Sequence, residues 1–204
     1  MKANHNGHYT SHTEEQSRER VAWQDKRHRL RLLGPQGHGL PSDASTALAE
    51  TYIGLGYIGE DGITNASDSE TTDVKEMGGE NVLSIITSYS ETYQFVLIEA
   101  MRKSAAQVRY GEKNVTGEDG ALSITHTMPD DTEFVLVVEL ALTGGKKDRF
   151  VIPRAVRKEF GDRTLSGTEV LGYDVTLGAL PSDLINGGTS REYIGTATAV
   201  DGGE

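Results

Sequence analysis

Three histidines near the front, His5, His8 and His12 in HNGHYTSH, are the first residues in this sequence whose type and spacing could gather a metal ion. They lie in a polar terminal stretch with no periodic apolar residues to fix their geometry, so the segment reads as a solvated arm. His38 falls in a glycine-rich turn and His126 at a strand end, neither beside a repeated carboxylate partner. GPQGHG is glycine-rich, but it lacks the spacing of a phosphate loop and no long helix follows it, so it reads as a turn. The acidic runs Glu118-Asp119-Gly120 and Asp130-Asp131-Thr132-Glu133 lack the alternating oxygen ligands of a calcium loop and read as solvated carboxylates. No GxSxG elbow, SxxK, HExxH or kinase set appears. Two carboxylates placed for glycoside hydrolysis would meet only in the fold, and the sequence nominates no pair. The expectation is a chain with no catalytic residue, no metal site and no cofactor.

Charge offers more. The 204 residues carry a net charge of -11, which argues against a protein that grips a nucleic-acid duplex through clustered Lys and Arg. Residues 1–33 hold seven basic against four acidic side chains, whereas residues 34–204 hold thirteen against twenty-seven. A basic arm precedes an acidic body. Arg27, Arg29 and Arg31 alternate along one strand, and Lys146, Lys147 and Arg149 surround a hairpin tip. In a body this acidic, these six are expected to meet carboxylates on a neighbouring copy, or to serve as solvated edge charges that discourage aggregation. Aromatics are only 6%, a lean core that leaves apolar surface for another subunit to cover. The absence of cysteine excludes a disulfide framework and a thiolate zinc site. The first residues lack the apolar run of a signal peptide, and no stretch is long and apolar enough to span a bilayer, so a soluble chain without membrane contact is expected.

The elements that carry these groups are mainly strands. KRHRLRLLG alternates with period two. Ser42 or Asp43 could cap a short helix, ASTALAETYI, closed by Gly54. GYIGEDGIT reads as two short β pieces around an Asp-Gly turn. TTDVKEMGG, NVLSIITS and TYQFVLI read as strands with a turn or bulge at Gly78-Gly79, and Tyr89, Tyr93, Phe95 and Leu97 are expected on one face. From Ile98 the apolar positions Ile98, Met101, Ala105 and Val108 follow helical spacing, and Gly111 supplies the stop. ALSITH, EFVLVVELAL, a Gly144-Gly145 turn, KKDRFVIP, RAVRKEF and EVLGYDVTLGAL continue the β pattern, and the end is loose apart from REYIG. This gives a β-rich domain at 27–185 between a basic arm, 1–26, and a C-terminal arm, 186–204.

Three blocks in order carry a family likeness. GLPSDASTALAETYIGLGYIGEDGIT, SYSETYQFVLIEAMRKSAAQVRYGEKNVT and RFVIPRAVRKEFGDRTLSGTEVLGYDVTLGAL resemble the opening, the strand-helix centre and the C-terminal strands of major tail tube proteins of long-tailed, non-contractile bacteriophages. The likeness covers about residues 28 to 195, and the arm before Trp23 is longer and more charged than the family pattern. The resemblance implies a β-rich α+β fold: an antiparallel β-sandwich or barrel-like subunit with one flanking α-helix and extended arms. It also implies stacked hexameric rings in a virion tail assembled in the bacterial host cytoplasm. The partners it implies are further copies of the chain, a tape measure protein, a tail terminator and baseplate or distal tail proteins, with DNA passing through without specific binding. The tube of a contractile tail or injection device is an open alternative, and a carbohydrate-binding β-sandwich module a more distant one.

Overall fold

The computed structural model describes residues 28–33, 39–163, 165 and 171–196, with β1 (His28–Leu33) described by its backbone pairing. The strands that follow are β2 (Ile53–Gly54), β3 (Ile58–Lys75), β4 (Asn81–Leu97), β5 (Val115–Glu118), β6 (Ala121–Ile124), β7 (Phe134–Ala141), β8 (Lys146–Phe160), β9 (Tyr173–Ala179) and β10 (Arg191–Thr196). One helix of more than a single turn, α1 (Lys103–Tyr110), stands among the described residues. The main sheet runs β2-β1-β7-β8-β9-β4-β3, antiparallel at each pairing, with β10 attached to β8 and β5–β6 forming a separate hairpin. The sheet curls into a half-barrel, the barrel-like form of the expected β-rich fold.

β8 makes the curl continuous. One of its edges carries β7, and the other carries β10 along Lys146–Val151 and then β9 along Ala155–Phe160. Between these two partners Ile152 pairs Leu136 and Ala155 pairs Phe134, so Pro153 and Arg154 together oppose one residue of β7. That bulge accepts a proline, which has no amide hydrogen to give the ladder, and bends the strand.

Apolar residues of alternating parity fill the two faces. Tyr93, Phe95 and Leu97 of β4, Leu136 and Val138 of β7, Ile152 and Ala155 of β8, and Val175 and Leu177 of β9 form the larger core. α1 covers it with Ala105, Ala106 and Val108. On the opposite face Val135, Val137 and Val151 pack under Tyr52, Leu40 and Leu48. Tyr93, Phe95 and Leu97 thus share a buried face as the alternation predicts, while Tyr89 stands exposed.

Three local expectations change. The stretch ASTALAETYI is not helical. The Asp43 carboxylate takes the backbone amides of Ser45 and Thr46, and Arg149 takes the carbonyls of Asp43 and Thr46 at 2.7 and 2.8 Å, acceptors that a helix needs for itself. α1 starts at Lys103 and not near Ile98, because Ile98 donates its amide to the Tyr57 carbonyl and Glu99 accepts from the Tyr57 amide, both tied to the strand opposite. Asp61-Gly62 is not a hairpin turn. It is a register shift inside β3 between Ile58 and Ile63, and Gly62 adopts the positive φ of 75° that the shift requires. The Gly144-Gly145 turn stands where expected, and Gly111, at φ 86°, ends α1.

Phe95 lies in the larger core and is only 2% exposed, so the substitution Phe95→Ala is expected to cost about 3–5 kcal/mol. Chemical denaturation followed by circular dichroism measures it.

Candidate assembly site

β3 and β4 form a hairpin of 18- and 17-residue strands, and only its base belongs to the core. From Thr64 outward along β3 and back to Ser90 of β4 every residue is exposed. Cross-strand pairs share a face, so the register assigns the distal side chains. Val74 pairs Leu83, with Ile85 two positions along on the same side; Thr71 pairs Ile86 and Ser69 pairs Tyr89, which puts Ile86 and Tyr89 on the other side. Leu83 is 53% and Ile86 67% exposed. Each face of the ribbon thus shows bare apolar side chains among polar ones. Its residues 58–97 also hold eight acidic side chains against one lysine.

A carboxylate anchors the base of this arm. Glu91 is 6% exposed, and its oxygens accept from Asn65 Nδ2 at 2.9 Å, Tyr93 OH at 2.7 Å, Ser190 Oγ at 3.0 Å and the Thr189 hydroxyl. Burial pushes its pKa up, but the donors outweigh burial and hold it below the usual range. The cluster ties β3, β4 and the segment between β9 and β10 together. Burial likewise pushes the Tyr93 hydroxyl far above the ordinary phenol range, so it stays a donor.

Arginines fasten the other layers. Arg149, 1% exposed, donates to Glu139 Oε1 at 2.6 Å as well as to the two carbonyls of the 39–52 segment. Arg157 closes the end of α1 by donating to the Gln107 and Val108 carbonyls at 3.0 and 2.6 Å and pairs Asp130 at 3.1 Å. Arg109 donates to the Asp174 and Gly161 carbonyls, fixing α1 to β9. A shallow groove of about 670 Å³ lies beside Ile98, Ala100, Met101 and Leu171. It presents hydrocarbon and the Glu99–Arg102 ion pair. Among the described residues no group of three or more His, Asp or Glu is placed to hold a metal ion. His126 stacks on Tyr110, ring centres 4.8 Å apart.

The six basic residues singled out by sequence are dispersed in role. Arg27 lies outside the described residues. β1 pairs β7 so that Arg29 stands opposite Glu139 and Arg31 opposite Val137. Lys146 is exposed and Lys147 half-buried, but Arg149 is an internal clamp whose charge meets a carboxylate of its own chain. The distal hairpin was not singled out, although the run NVLSIITS signals it: Val82, Leu83, Ile85 and Ile86 are apolar at both parities, which a strand with one solvated face does not need.

A curled antiparallel sheet with an apolar arm reaching beyond its own core defines a β-rich subunit with a surface for another molecule to cover. Residues 32–188 match the family model described as phage tail tube protein. The chain belongs to the phage tail tube protein family, whose members are structural components of the tail. No curated protein matches. Among solved structures, the chain is similar to the tube-terminating cap of the anti-feeding prophage, at 11% identity and TM-score 0.43, covering 84% of this chain and 89% of that one. It is also similar to a chain of the extended sheath-tube complex of an extracellular contractile injection system (9%, TM-score 0.40, 84% and 89%). A third is from the tail of an empty GTA particle (9%, TM-score 0.39, 79% and 100%).

Two outcomes follow. Replacing Arg149 with Ala strands Glu139 and frees the 39–52 segment, and is expected to cost about 3–5 kcal/mol by urea denaturation. Glu91 has a folded pKa below its unfolded one, so its stabilisation is present above the ordinary carboxylate range and is lost as pH falls through the lowered value. Glu91→Gln removes this, and unfolding midpoints measured from neutral to acid pH should then decline less steeply than in the native protein.

Proposed function

We propose that the chain forms the tube of a non-contractile phage tail as stacked hexameric rings, and that the bore conducts the genome on ejection. The observation that carries this reading is the distal β3–β4 ribbon. A two-stranded ribbon has no stability of its own in water, and apolar side chains on both faces gain only if surfaces meet them from both sides. In a stack of rings, further copies supply those surfaces. The outer edge of β3, 18 residues long, ends the sheet with unpaired backbone groups, and an adjacent subunit in the ring would complete it.

The same fold offers a face for the bore. α1 and the larger core occupy one side of β4, β9 and the second half of β8. On the other side the register sets Thr92 beside Gly178 and Val156, and Gln94 beside Thr176 and Glu159, with Asp174 close to Gln94 and with Asp68 and Glu70 further out on β3. Lys158 also lies on this face, against Gly178, but the carboxylates outnumber it, and together with the hydroxyls and the amide they hold phosphate only weakly, which suits DNA that must slide. The basic arm, residues 1–26, would reach the acidic body of an adjacent ring, the rings would stack around the tape measure protein, and the tube ends would meet the terminator and baseplate or distal tail proteins.

The test is assembly of the purified chain with Leu83→Asp and Ile85→Asp together. Both side chains are exposed in the subunit, so its fold is expected to survive by circular dichroism. Each buried leucine or isoleucine contributes about 1.5–3 kcal/mol, so the concentration needed for tubes should rise at least about tenfold. Negative-stain microscopy and sedimentation read it. Normal tubes at the native concentration would remove the hairpin from the account.

A further inference from the structure

β10 lies off the main path of the sheet: among the described residues it pairs with β8 alone, over Arg191–Thr196 against Lys146–Val151. One side of the β8–β10 seam is well made: Tyr193 packs against the smaller core, and Gly195 lies close enough to Ala44 that an added Cβ would stand 3.4 Å from the alanine side chain. The other side is not. There Asp148 stands opposite Ile194, and Glu192, opposite Phe150, is its diagonal neighbour on the same face. Ile194 is exposed, and Leu140 of β7 and Phe150 of β8 complete an apolar surround for the Asp148 carboxylate. Its Oδ1 is buried and has no hydrogen-bond partner.

The charged groups around Asp148 do not compensate it. On β8 Lys146 shares its side but is exposed at the strand end, while Lys147 and Arg149 alternate to the opposite side, where Arg149 is bound to Glu139. On β10 Glu192 adds a second negative charge, and Arg191 alternates to the other side. On β7 the facing residue is Leu140, and beyond it the register places His28 of β1.

We propose that the β8–β10 seam is a proton-sensitive clasp, in which protonation of Asp148 beside Glu192 tightens the last strand of the sheet onto β8. The clasp goes beyond the tube reading and does not depend on it. Burial, and then the Glu192 charge, raise the Asp148 pKa above its ordinary 3.8, against the smaller lowering effect of a hydrogen bond from the Arg149 backbone amide. For a group raised on folding, the protonated form is the one the fold favours. The penalty is therefore absent below the ordinary value and grows as pH rises through the raised folded value. Rising pH loosens β10 on β8, and mild acid fastens it.

Amide hydrogen exchange of the full-length protein tests this, with rates corrected for intrinsic chemistry and with Val175 and Leu177 of β9 as internal reference. Protection of the Glu192–Thr196 amides should rise severalfold relative to β9 between neutral pH and pH values near the ordinary aspartate range. Asp148→Asn should bring the acid-level protection to neutral pH and abolish the dependence. Flat protection in the native chain, or an Asp148→Asn protein that keeps the pH dependence, overturns the clasp. Should Asp148→Asn fail to fold, the exposed Glu192→Gln carries the test: higher β10 protection at neutral pH supports the proposal, and unchanged protection overturns it.

Discussion

A two-stranded β ribbon cannot hold itself together in water, and the longest elements of this chain leave their sheet as one. The β3–β4 ladder runs on past the core with bulges at Glu70/Thr71 and Val74/Lys75, but beyond Thr64 and Ser90 no layer of the described residues covers its side chains. A solvated ribbon would be expected to carry polar residues on both faces. This one carries Leu83, Ile85 and Val74 on one side and Ile86 and Tyr89 on the other. The proposed assembly depends on that mismatch between a paired backbone ladder and an uncovered apolar surface.

Directed bonds tie the base of the arm to the rest of the chain. Glu91 gathers Asn65, Tyr93, Thr189 and Ser190 at the point where the hairpin leaves the core, so its base is tied to the segment leading into β10. Arg157 and Arg109 lock α1 onto β8 and β9 through backbone carbonyls, and Arg149 does the same for the 39–52 segment on the opposite face. Planar guanidinium groups suit this work because one side chain can satisfy several carbonyls from different segments without losing its charge. The layers over the two sheet faces are thus fastened by directed bonds as well as by apolar packing, which fits a core poor in aromatics.

Much of this was legible in the chain. TYQFVLI, with clean alternation, and EFVLVVEL, a continuous apolar run buried on both faces, appear as strands as read, and the turn at Gly144-Gly145 follows from its glycines. The outer half of β3 did not declare itself, because TNASDSE has no apolar alternation; it is a strand only because β4 pairs with it. The helix expected at ASTALAETYI fails for a reason that lies 100 residues away, in Arg149. That arginine read as a surface charge beside a hairpin tip. The clue to its burial is Glu139, a lone carboxylate within an otherwise apolar strand at the matching position across the turn. Charge composition points to assembly through basic residues, and the described residues add an acidic arm with exposed apolar side chains that the charge pattern does not signal.

A three-dimensional electron-microscopy reconstruction of the assembled full-length protein tests the central claim most directly. The account predicts a hollow, sixfold stack in which Leu83 and Ile85 meet one neighbouring surface and Ile86 and Tyr89 another, with the Thr92–Gln94 face of the sheet towards the bore. An assembly in which the distal hairpin projects into solvent, or a bore lined by lysine and arginine, would contradict it.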